Sequence, residues 1–289
     1  MELIILGSGG CQPIPRPCCE CKVCKEARIK GVPYSRDGPA LFLNDINALF
    51  DTPEEIGLEL NRERIKKINL VFYTHWHPDH TAGMRVFEQL NLDWLNKSIG
   101  KSPKYCVPVY ANKIVWDELN ALKNKFGSYF DYYKSQKLII KKCLKNNVPV
   151  KLNNLEITGV FRSAAGCSDN VLIYVIKEKK KKVIYAPCDC KPFPDSKLFL
   201  NSDILIIWAP FFEGYLKDKF KLEKDNPIRK ELFSMAEIIA IIEKIKPKKT
   251  IITHIEELMG KSYADFKKLE KVYKKYNIQF AYDGLKIKL

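Results

Sequence analysis

The sequence predicts a layered α/β sandwich, and three observations lead to this fold class. Short apolar segments with the character of strands alternate with segments of helical periodicity in both halves of the chain, and the strands outnumber the helices. No internal repeat, low-complexity linker or change of composition divides the sequence. Because 289 residues can bury a substantial core, we expect residues 1–289 to fold as one domain.

The strands are predicted from short runs of aliphatic, β-branched and aromatic residues that end at polar or turn residues. In chain order, the predicted strands are Leu3–Leu6, Ala40–Leu43, Ala48–Phe50, Leu70–Tyr73, Val107–Tyr110, Leu155–Val160, Val171–Ile176, Val183–Ala186, Ile204–Trp208, Thr250–Thr253, Gln279–Tyr282 and Leu285–Leu289. Helical periodicity predicts helices at Pro53–Asn61, Thr81–Leu90, Lys113–Lys123, Ser234–Ile245 and Ser262–Tyr276. Residues 91–150 are polar, lysine-rich and less regular, and we expect them to form an inserted cap over the functional site.

Composition and cysteine usage indicate a cytoplasmic globular protein. Hydrophobic residues make up 46% and charged residues 29% of the sequence, which is ordinary for a globular protein. No stretch approaches the roughly 18–20 uncharged apolar residues that span a membrane. The first residues lack the basic segment of a signal peptide and are predicted to form a strand. The ten cysteines lie in tight clusters, which favours metal ligation in a reducing compartment over disulfide formation.

The formal net charge of +15 favours anionic binding partners. Nucleic acid is one such partner, but many lysines fall in segments that are predicted to be solvated, such as the turn 177–182 and the helix 262–276. We therefore expect a small anionic substrate and keep nucleic acid as a less favoured alternative. No membrane interaction is indicated, and the sequence does not define an oligomeric state.

The strongest functional signal is the segment 75–80, which reads His-Trp-His-Pro-Asp-His and contains three of the four histidines in the chain. Imidazole nitrogen and carboxylate oxygen are ligands that suit zinc, iron and manganese. The predicted strand Leu70–Tyr73 leads into the segment, and the predicted helix Thr81–Leu90 follows it. These two rigid elements would hold the side chains of the segment around one volume. The segment therefore predicts a metal site formed by His75, His77, Asp79 and His80.

A second predicted metal site lies near the N-terminus, where residues 18–24 contain four cysteines. Thiolates separated by one or two residues can surround a tetrahedral zinc ion at about 2.3 Å. The spacing of Cys19, Cys21 and Cys24 fits a structural zinc site, with Cys18 as a neighbouring thiol. Free surface thiols and redox chemistry are the alternatives, and redox chemistry is disfavoured because a thioredoxin-like sequence context is absent.

The segment Thr74–His80 resembles the His-x-His-x-Asp-His signature of the metallo-β-lactamase superfamily. The resemblance implies a four-layer αββα sandwich with one or two divalent metal ions, such as zinc, manganese or iron, at one edge. It implies that His75 and His77 bind the first metal, and that Asp79 and His80 bind the second.

The same resemblance implies further ligands at strand ends. Asp189 follows a predicted strand at the position of a bridging aspartate, which would partly neutralise two cations about 3.5–4 Å apart. His254 follows another predicted strand at the position of a late histidine. The family also has a histidine in the middle of the chain, which this sequence lacks. Cys167 is the candidate for that position, since thiolate is a good zinc ligand, and Asp169 is a lesser candidate.

The glycine segment 7–10, the cysteine segment 18–24 and residues 282–284 are similar to one branch of the superfamily. That branch includes a phosphodiesterase of the carbon–phosphorus lyase pathway and a protein of pyrroloquinoline quinone synthesis. It implies hydrolysis of cyclic phosphodiesters and a structural zinc held by three cysteines and one histidine. Glu257 stands at the position of that histidine. Either Glu257 or Cys18 would complete the zinc site, and Cys18 is preferred because glutamate is a poorer match to thiolates.

Together these features predict a metal-dependent hydrolase in which a metal-bound hydroxide attacks phosphorus or a carbonyl carbon. Asp79 is the predicted catalytic residue, because it would hold the second metal and orient the nucleophile. The preferred function is a phosphodiesterase acting on small or cyclic phosphate esters. The alternatives are a thioester or lactone hydrolase, an RNA-processing nuclease, and a non-catalytic metal-bound accessory protein.

Overall fold

Two mixed β-sheets, stacked face to face and covered by helices on their outer sides, form a four-layer αββα sandwich. The computed structural model describes residues 1–163 and 170–289. The predicted ligand Cys167 and the lesser candidate Asp169 lie outside the described residues. The sandwich confirms the fold class that the sequence predicts.

The strands follow the short apolar segments of the sequence. In chain order they are β1 (Glu2–Gly7), β2 (Ala40–Leu43), β3 (Ala48–Phe50), β4 (Leu70–Phe72), β5 (Val107–Asn112), β6 (Lys123–Asn124), β7 (Gly127–Ser128), β8 (Ile139–Leu144), β9 (Pro149–Leu152), β10 (Leu155–Ser163), β11 (Asn170–Glu178), β12 (Lys181–Ala186), β13 (Ile204–Trp208), β14 (Lys249–Thr253), β15 (Ile278–Phe280) and β16 (Leu285–Lys288). The first sheet has the order β16-β1-β2-β3-β4-β5-β8, and the second has the order β15-β14-β13-β12-β11-β10-β9. The short strands β6 and β7 pair with each other.

Each sheet contains a run of parallel strands. In the first sheet β3, β4, β5 and β8 are parallel, and in the second sheet β12, β13, β14 and β15 are parallel. The register pairs Phe50 with Phe72 in the first sheet, and Ile207 with both Ala186 and Ile252 in the second. Within each run, the carboxyl ends of the strands therefore lie at one edge of the sheet, and the segments that follow them are neighbours.

Helices cover both outer faces of the sandwich. They are α1 (Lys22–Lys30), α2 (Ile56–Arg62), α3 (Pro78–Thr81), α4 (Val86–Asn91), α5 (Trp94–Ser98), α6 (Lys113–Ala121), α7 (Tyr129–Ser135), α8 (Met235–Ile245) and α9 (Tyr263–Val272), with 3-10 turns at Asn44–Ile46, Ala82–Arg85, Lys197–Phe199, Lys217–Lys219, Pro227–Lys230, Glu257–Met259 and Lys274–Tyr276. Ser234 and Ser262 begin α8 and α9 with capping boxes, at the N-cap positions predicted from the sequence. Among the described residues, the helices are too short or too polar to cross a bilayer.

Alternation along the strands divides the second sheet between two hydrophobic cores. On β11, Leu172 and Tyr174 face the first sheet, whereas Ile173 and Val175 pack in the core beneath α8 and α9. The backbone N–H of Leu172 donates a hydrogen bond to the carbonyl of Thr74 at 2.9 Å. This bond joins the second sheet to the loop after β4, so the two sheets hold that loop from both sides.

The segment 91–150 is more regular than the sequence pattern indicates. It contains β5, which the sequence predicts in part at Val107–Tyr110, and β8, and both are strands of the first sheet. A cap formed by the rest of the segment stays a prediction. β8 lies at the edge of its sheet and contains Lys141 and Lys142. Lysines are common on edge strands because they prevent pairing with other chains, and here they hide the apolar pattern of the strand.

The predicted helix Thr81–Leu90 is divided into α3, the turn Ala82–Arg85 and α4. Gly83 lies in this turn, where a Cβ atom would be only 1.9 Å from the carbonyl oxygen of Pro53. The helical periodicity of the segment is therefore interrupted by a close approach of two backbone segments, which a pattern of apolar residues does not reveal.

Candidate metal centre

The candidate metal ligands lie at the carboxyl ends of strands from both sheets. His75 and Asp189 follow β4 and β12 by three residues, and His254 directly follows β14. A further carboxylate, Asp51, directly follows β3. Asp51, Asp189 and His254 have φ angles of 63°, 45° and 57°, in the left-handed region that residues other than glycine adopt at an energetic cost. The backbone around the candidate ligands is therefore held at three points in a conformation that costs energy.

The first donor group consists of His75, His77 and Asp189, whose ligand atoms lie within 4.8 Å of one another. Asp189 Oδ2 lies 3.2 Å from Nε2 of His75 and 3.0 Å from Nδ1 of His77. His75 is fully buried, whereas His77 and Asp189 are partly exposed. Atoms at these separations can share one metal ion.

The second donor group consists of Asp79, His80 and His254, again within 4.8 Å of one another. Asp79 Oδ2 lies 3.1 Å from Nε2 of His254 and 3.6 Å from Nε2 of His80. The centroids of the His75 and His80 rings are 4.1 Å apart, so the two donor groups adjoin. The structure therefore brings together the histidine segment, Asp189 and His254, and their role as metal ligands stays a prediction.

The ionisation of these groups suits cation binding. Burial lowers the pKa of His75 to about 4, so this imidazole is neutral near pH 7. Burial acts to raise the pKa values of Asp79 and Asp189, but the neighbouring histidines outweigh it and hold both pKa values well below the ordinary range. Burial acts to lower the pKa of His254, but hydrogen bonds to Asp79 and Glu256 outweigh it and raise the pKa to about 10. His254 must therefore lose a proton when a metal binds.

The residues of both donor groups fit divalent ions. Within residues 1–163 and 170–289, no hydrogen bond of good geometry satisfies the buried Nε2 atoms of His75 and His80, although Oδ2 of Asp189 lies 3.2 Å from the former and Oδ2 of Asp79 lies 3.6 Å from the latter. Buried polar atoms are nearly always satisfied in native proteins, and an ion beside each nitrogen would satisfy both. Imidazole and carboxylate donors suit zinc, manganese or iron, so the donor set does not distinguish these metals.

Asp51 and Thr74 hold the histidine rings from the side opposite the donor atoms. Asp51 Oδ2 lies 2.9 Å from Nδ1 of His80 and accepts a hydrogen bond from the Thr74 hydroxyl at 2.8 Å. The same hydroxyl lies 2.9 Å from Nδ1 of His75. A buried carboxylate in this position fixes the orientation and tautomer of a ligating imidazole. Sequence reasoning missed Asp51, whose signal is its place directly after a predicted strand.

The glycine segment 7–10 packs against the second donor group. A Cβ atom on Gly10 would lie 2.2 Å from the ring of His254 and 2.8 Å from Oε1 of Glu256. Oε1 of Glu256 lies 3.4 Å from Nδ1 of His254. Glycine is required at position 10 because any other side chain would displace the His254 ring.

Cys188, which sequence reasoning also missed, lies between the two donor groups. Its thiol is buried, and Sγ lies within 4.8 Å of a ring nitrogen of His75 and of His80. Sγ also lies 3.3 Å from Oδ2 of Asp189. The sequence signal is the place of Cys188 directly before Asp189.

A separate group, the cysteine site, consists of Cys19, Cys21, Cys24 and Glu257, with ligand atoms within 4.8 Å of one another. Oε1 of Glu257 lies 3.2 Å from Sγ of Cys19, 3.2 Å from Sγ of Cys21 and 3.8 Å from Sγ of Cys24. Among the described residues, Cys18 is exposed and outside this group. The geometry therefore favours Glu257 over Cys18, because the loop after β14 brings the carboxylate to the three thiols.

Two basic side chains approach the carboxylate of the cysteine site. Nζ of Lys217 lies 2.6 Å from Oε1 of Glu257 and 3.2 Å from Sγ of Cys19, and a guanidinium nitrogen of Arg16 lies 3.9 Å from Oε2 of Glu257. Burial acts to raise the pKa of Glu257, but the hydrogen bond from Lys217 outweighs it and lowers the pKa. Burial raises the pKa of Cys24 to about 12. Glu257 is therefore ionised at neutral pH, whereas the Cys24 thiol ionises only with a cation beside it.

Comparisons with known proteins identify the fold family. A family model described as a beta-lactamase superfamily domain matches residues 46–255. A solved structure of a diphosphatase from the PhnP family is 22% identical with a TM-score of 0.72, and the alignment covers 100% of this chain and 97% of that chain. Zinc-bound PqqB from Methylobacterium extorquens is 17% identical with a TM-score of 0.70, and both chains are covered completely. The short form of human tRNase Z is 16% identical with a TM-score of 0.59, covering 100% and 99% of the two chains. A sequence search of curated proteins gave no match.

Proposed function

This chain belongs to the β-lactamase superfamily, whose members are metal-dependent hydrolases, and we propose that it hydrolyses small or cyclic phosphate esters. The observation that carries the proposal is the pair of adjoining donor groups at the strand ends. Two ions held side by side can bind both the attacking and the leaving oxygen of a displacement at phosphorus. A pair of divalent ions is therefore suited to a phosphate ester.

Charge and the chemistry of similar folds support a phosphate substrate. The net charge of +15 attracts anions toward the protein. Of the structures with this fold, one is named a diphosphatase and another a tRNase, so related folds act on phosphate compounds. A small ester is preferred to RNA because no RNA-binding segment is recognisable in the sequence.

Bound divalent ions lower the pKa of a water molecule toward neutrality and stabilise negative charge that develops on the substrate oxygens. The side chains of the protein position and balance these charges. Asp79 contacts both His80 and His254, so its ionised carboxylate orients the second donor group. We assign Asp79 as the catalytic carboxylate. Asp189 has the same orienting role in the first donor group, where it contacts His75 and His77.

We also propose that the cysteine site holds a structural zinc ion. Three thiolates and one carboxylate around a divalent ion leave two net negative charges. Lys217 and Arg16 place two positive charges beside Glu257, which balances the site without a neutral fourth ligand. The free thiols that such a site requires support a reducing compartment such as the cytoplasm.

The proposal is tested by measuring the rate at which purified protein, loaded with zinc or with manganese, hydrolyses a set of substrates. The substrates are bis-p-nitrophenyl phosphate, 2′,3′-cyclic nucleotides, an acyl thioester and a lactone. We expect turnover of a phosphodiester that is lost on chelation and restored by metal. Asp79→Ala should lower the rate by at least about a hundredfold, whereas Asp117→Ala, at an exposed carboxylate on α6, should not.

Two other outcomes would change the proposal. Turnover of the thioester or the lactone without phosphodiesterase activity would contradict the phosphate ester as substrate. Zinc at the cysteine site together with metal-free donor groups would contradict hydrolysis altogether and favour a metal-bound accessory protein. Metal content of the wild-type protein, measured beside the assays, separates these outcomes.

A further inference from the structure

We propose that Cys188 supplies a sulfur ligand to the metal centre, at the junction of the two donor groups. The inference rests on the proposed function, because it assumes that the donor groups bind ions. It assigns a role to a residue that the sequence analysis does not identify, and it changes the chemistry of the centre from nitrogen and oxygen donors alone to a mixed set.

Cys188 is placed to contact both donor groups. It follows β12 by two residues, and its side chain is 4% exposed. Sγ lies within 4.8 Å of a ring nitrogen of His75, which belongs to the first donor group. It lies within the same distance of a ring nitrogen of His80, which belongs to the second donor group. The thiol also donates to Oδ2 of Asp189 at 3.3 Å.

The unsatisfied histidine nitrogens point to a ligand role for this thiol. Nε2 of His75 and Nε2 of His80 are buried, and no hydrogen bond of good geometry satisfies either atom in the described part of the chain, although Oδ2 of Asp189 lies 3.2 Å from Nε2 of His75. A sulfur about 2.3 Å and an imidazole nitrogen about 2.1 Å from the same zinc ion are at most about 4.4 Å apart. The separations around Cys188 are therefore close to the span of a single ion.

A sulfur ligand would influence which metal the protein selects. Thiolate favours zinc and other softer cations, whereas carboxylate and water suit manganese and magnesium. The thiol releases its proton to solvent when the metal binds, which adds one negative charge beside Asp189. That charge helps to offset two divalent cations at a centre that lacks one histidine of the family pattern.

Cadmium-113 NMR of the fully loaded protein tests this assignment, because the cadmium chemical shift moves downfield with each sulfur ligand. The wild-type protein should give one signal from the cysteine site and separate signals from the donor groups, with at least one of the latter shifted downfield by sulfur. Cys188→Ser should move that signal upfield and leave the cysteine-site signal unchanged. Cys190→Ser is the matched control, since Cys190 is equally buried but its Sγ contacts the carbonyl of Ala186 at 3.7 Å.

Identical donor-group signals in the wild-type and Cys188→Ser proteins would overturn the inference and leave the proposed function intact. An upfield shift produced by Cys167→Ser instead would also overturn it. Absence of donor-group signals from the wild-type protein would overturn the proposed function as well. The cysteine-site signal reports folding in the same spectrum. If Cys188→Ser does not fold, the wild-type shift decides, because a value typical of nitrogen and oxygen ligands alone excludes sulfur.

Discussion

Asp51 Oδ2 lies 2.9 Å from Nδ1 of His80, and both side chains are fully buried. The opposite ring nitrogen, Nε2 of His80, lies 3.6 Å from Asp79 in the second donor group. Because the carboxylate engages one nitrogen, the other is left to face the ion. In the proposed metal centre, Asp51 would therefore be a positioning residue that acts through His80.

Replacement of Asp51 by asparagine should weaken metal binding at the second donor group by about 10–100-fold. The amide lacks the negative charge that strengthens the imidazole as a ligand, and it permits either ring tautomer. Calorimetric titration of the metal-free protein with zinc measures the effect. Asp117→Asn, on an exposed face of α6, should bind zinc as the wild-type protein does. If Asp51→Asn alters only the thermal stability, Asp51 serves the fold and not the metal.

Substitution of Gly10 by alanine should displace His254, because the new Cβ would lie 2.2 Å from its ring. We expect metal occupancy of the second donor group to fall and activity to drop by about a hundredfold, the size of effect that a small misplacement of a catalytic group produces. Metal content and the rate with bis-p-nitrophenyl phosphate measure these effects. Gly57→Ala in α2 is the control, since a Cβ atom on Gly57 would lie at an ordinary contact distance of 3.5 Å from Oε1 of Gln89, and alanine there should stabilise the helix slightly. Equal activity of the two variants would show that the contact with His254 is not a constraint.

Removal of the Lys217 charge should loosen zinc at the cysteine site. Lys217→Met leaves Glu257 and three thiolates with one fewer balancing cation, and we expect zinc release to a chelator to accelerate by about tenfold or more. Lys219→Met, at an exposed neighbouring lysine, should have no such effect. In the Lys217→Met protein, the additional change Glu257→His should restore slow release, because a neutral ligand removes one negative charge. Failure of this rescue would contradict the role of charge balance.

Glu59 makes the stability of the protein depend on pH. It is fully buried, its oxygens have no hydrogen-bond partner among the described residues, and burial together with Asp283 and Asp37 raises its pKa well above the ordinary value. Below about pH 4.3 the group is protonated in both folded and unfolded chains. As the pH rises further, the unfolded chain releases this proton and the folded chain retains it. Each rise of one pH unit in this range therefore lowers the free energy of unfolding by up to about 1.4 kcal/mol, until the pKa of Glu59 in the folded state is reached.

The variant Glu59→Gln should remove this contribution to the pH dependence of the free energy of unfolding. Urea denaturation between pH 5 and the neutral range, at about half-unit steps, measures the slope for each protein. Glu54→Gln replaces an exposed glutamate of the same region and should retain the wild-type slope. A Glu59→Gln slope equal to that of the wild-type protein would show that Glu59 is ionised in the folded state.

The sequence predicts most strands of both sheets, because buried strands of a sandwich are short, apolar and separated by turn residues. The edge strand β8 escapes prediction, since its outward lysines interrupt the apolar pattern. The short helices α1, α5 and α7 also escape, because few of their residues are buried and their apolar periodicity is weak. What the sequence pattern detects is therefore burial on a regular face, and elements with little burial are missed.

The site residues also divide into those that a sequence pattern reveals and those that it does not. His75, His77, Asp79 and His80 can be predicted because they are dense in one segment. Asp51 and Cys188 are single residues without a local pattern, and folding alone brings them to the histidines. The sequence analysis prefers Cys18 to Glu257 as a zinc ligand on chemical grounds. The path of the loop after β14 decides which of the two lies near the other thiols, and this loop places Glu257 beside them.

The three-residue separation between His254 and Glu257 means that one short loop serves both metal sites. Both residues are buried, and an ion at either site would fix one end of the loop that joins them. The two occupancies should therefore be cooperative, and by reciprocity zinc at the cysteine site raises affinity at the second donor group by the same factor as the reverse. Oxidation of the thiols, which would expel that zinc, should then reduce catalysis without any chemical change at the catalytic ligands. Such coupling would let the proposed hydrolase respond to the redox state and zinc supply of its surroundings.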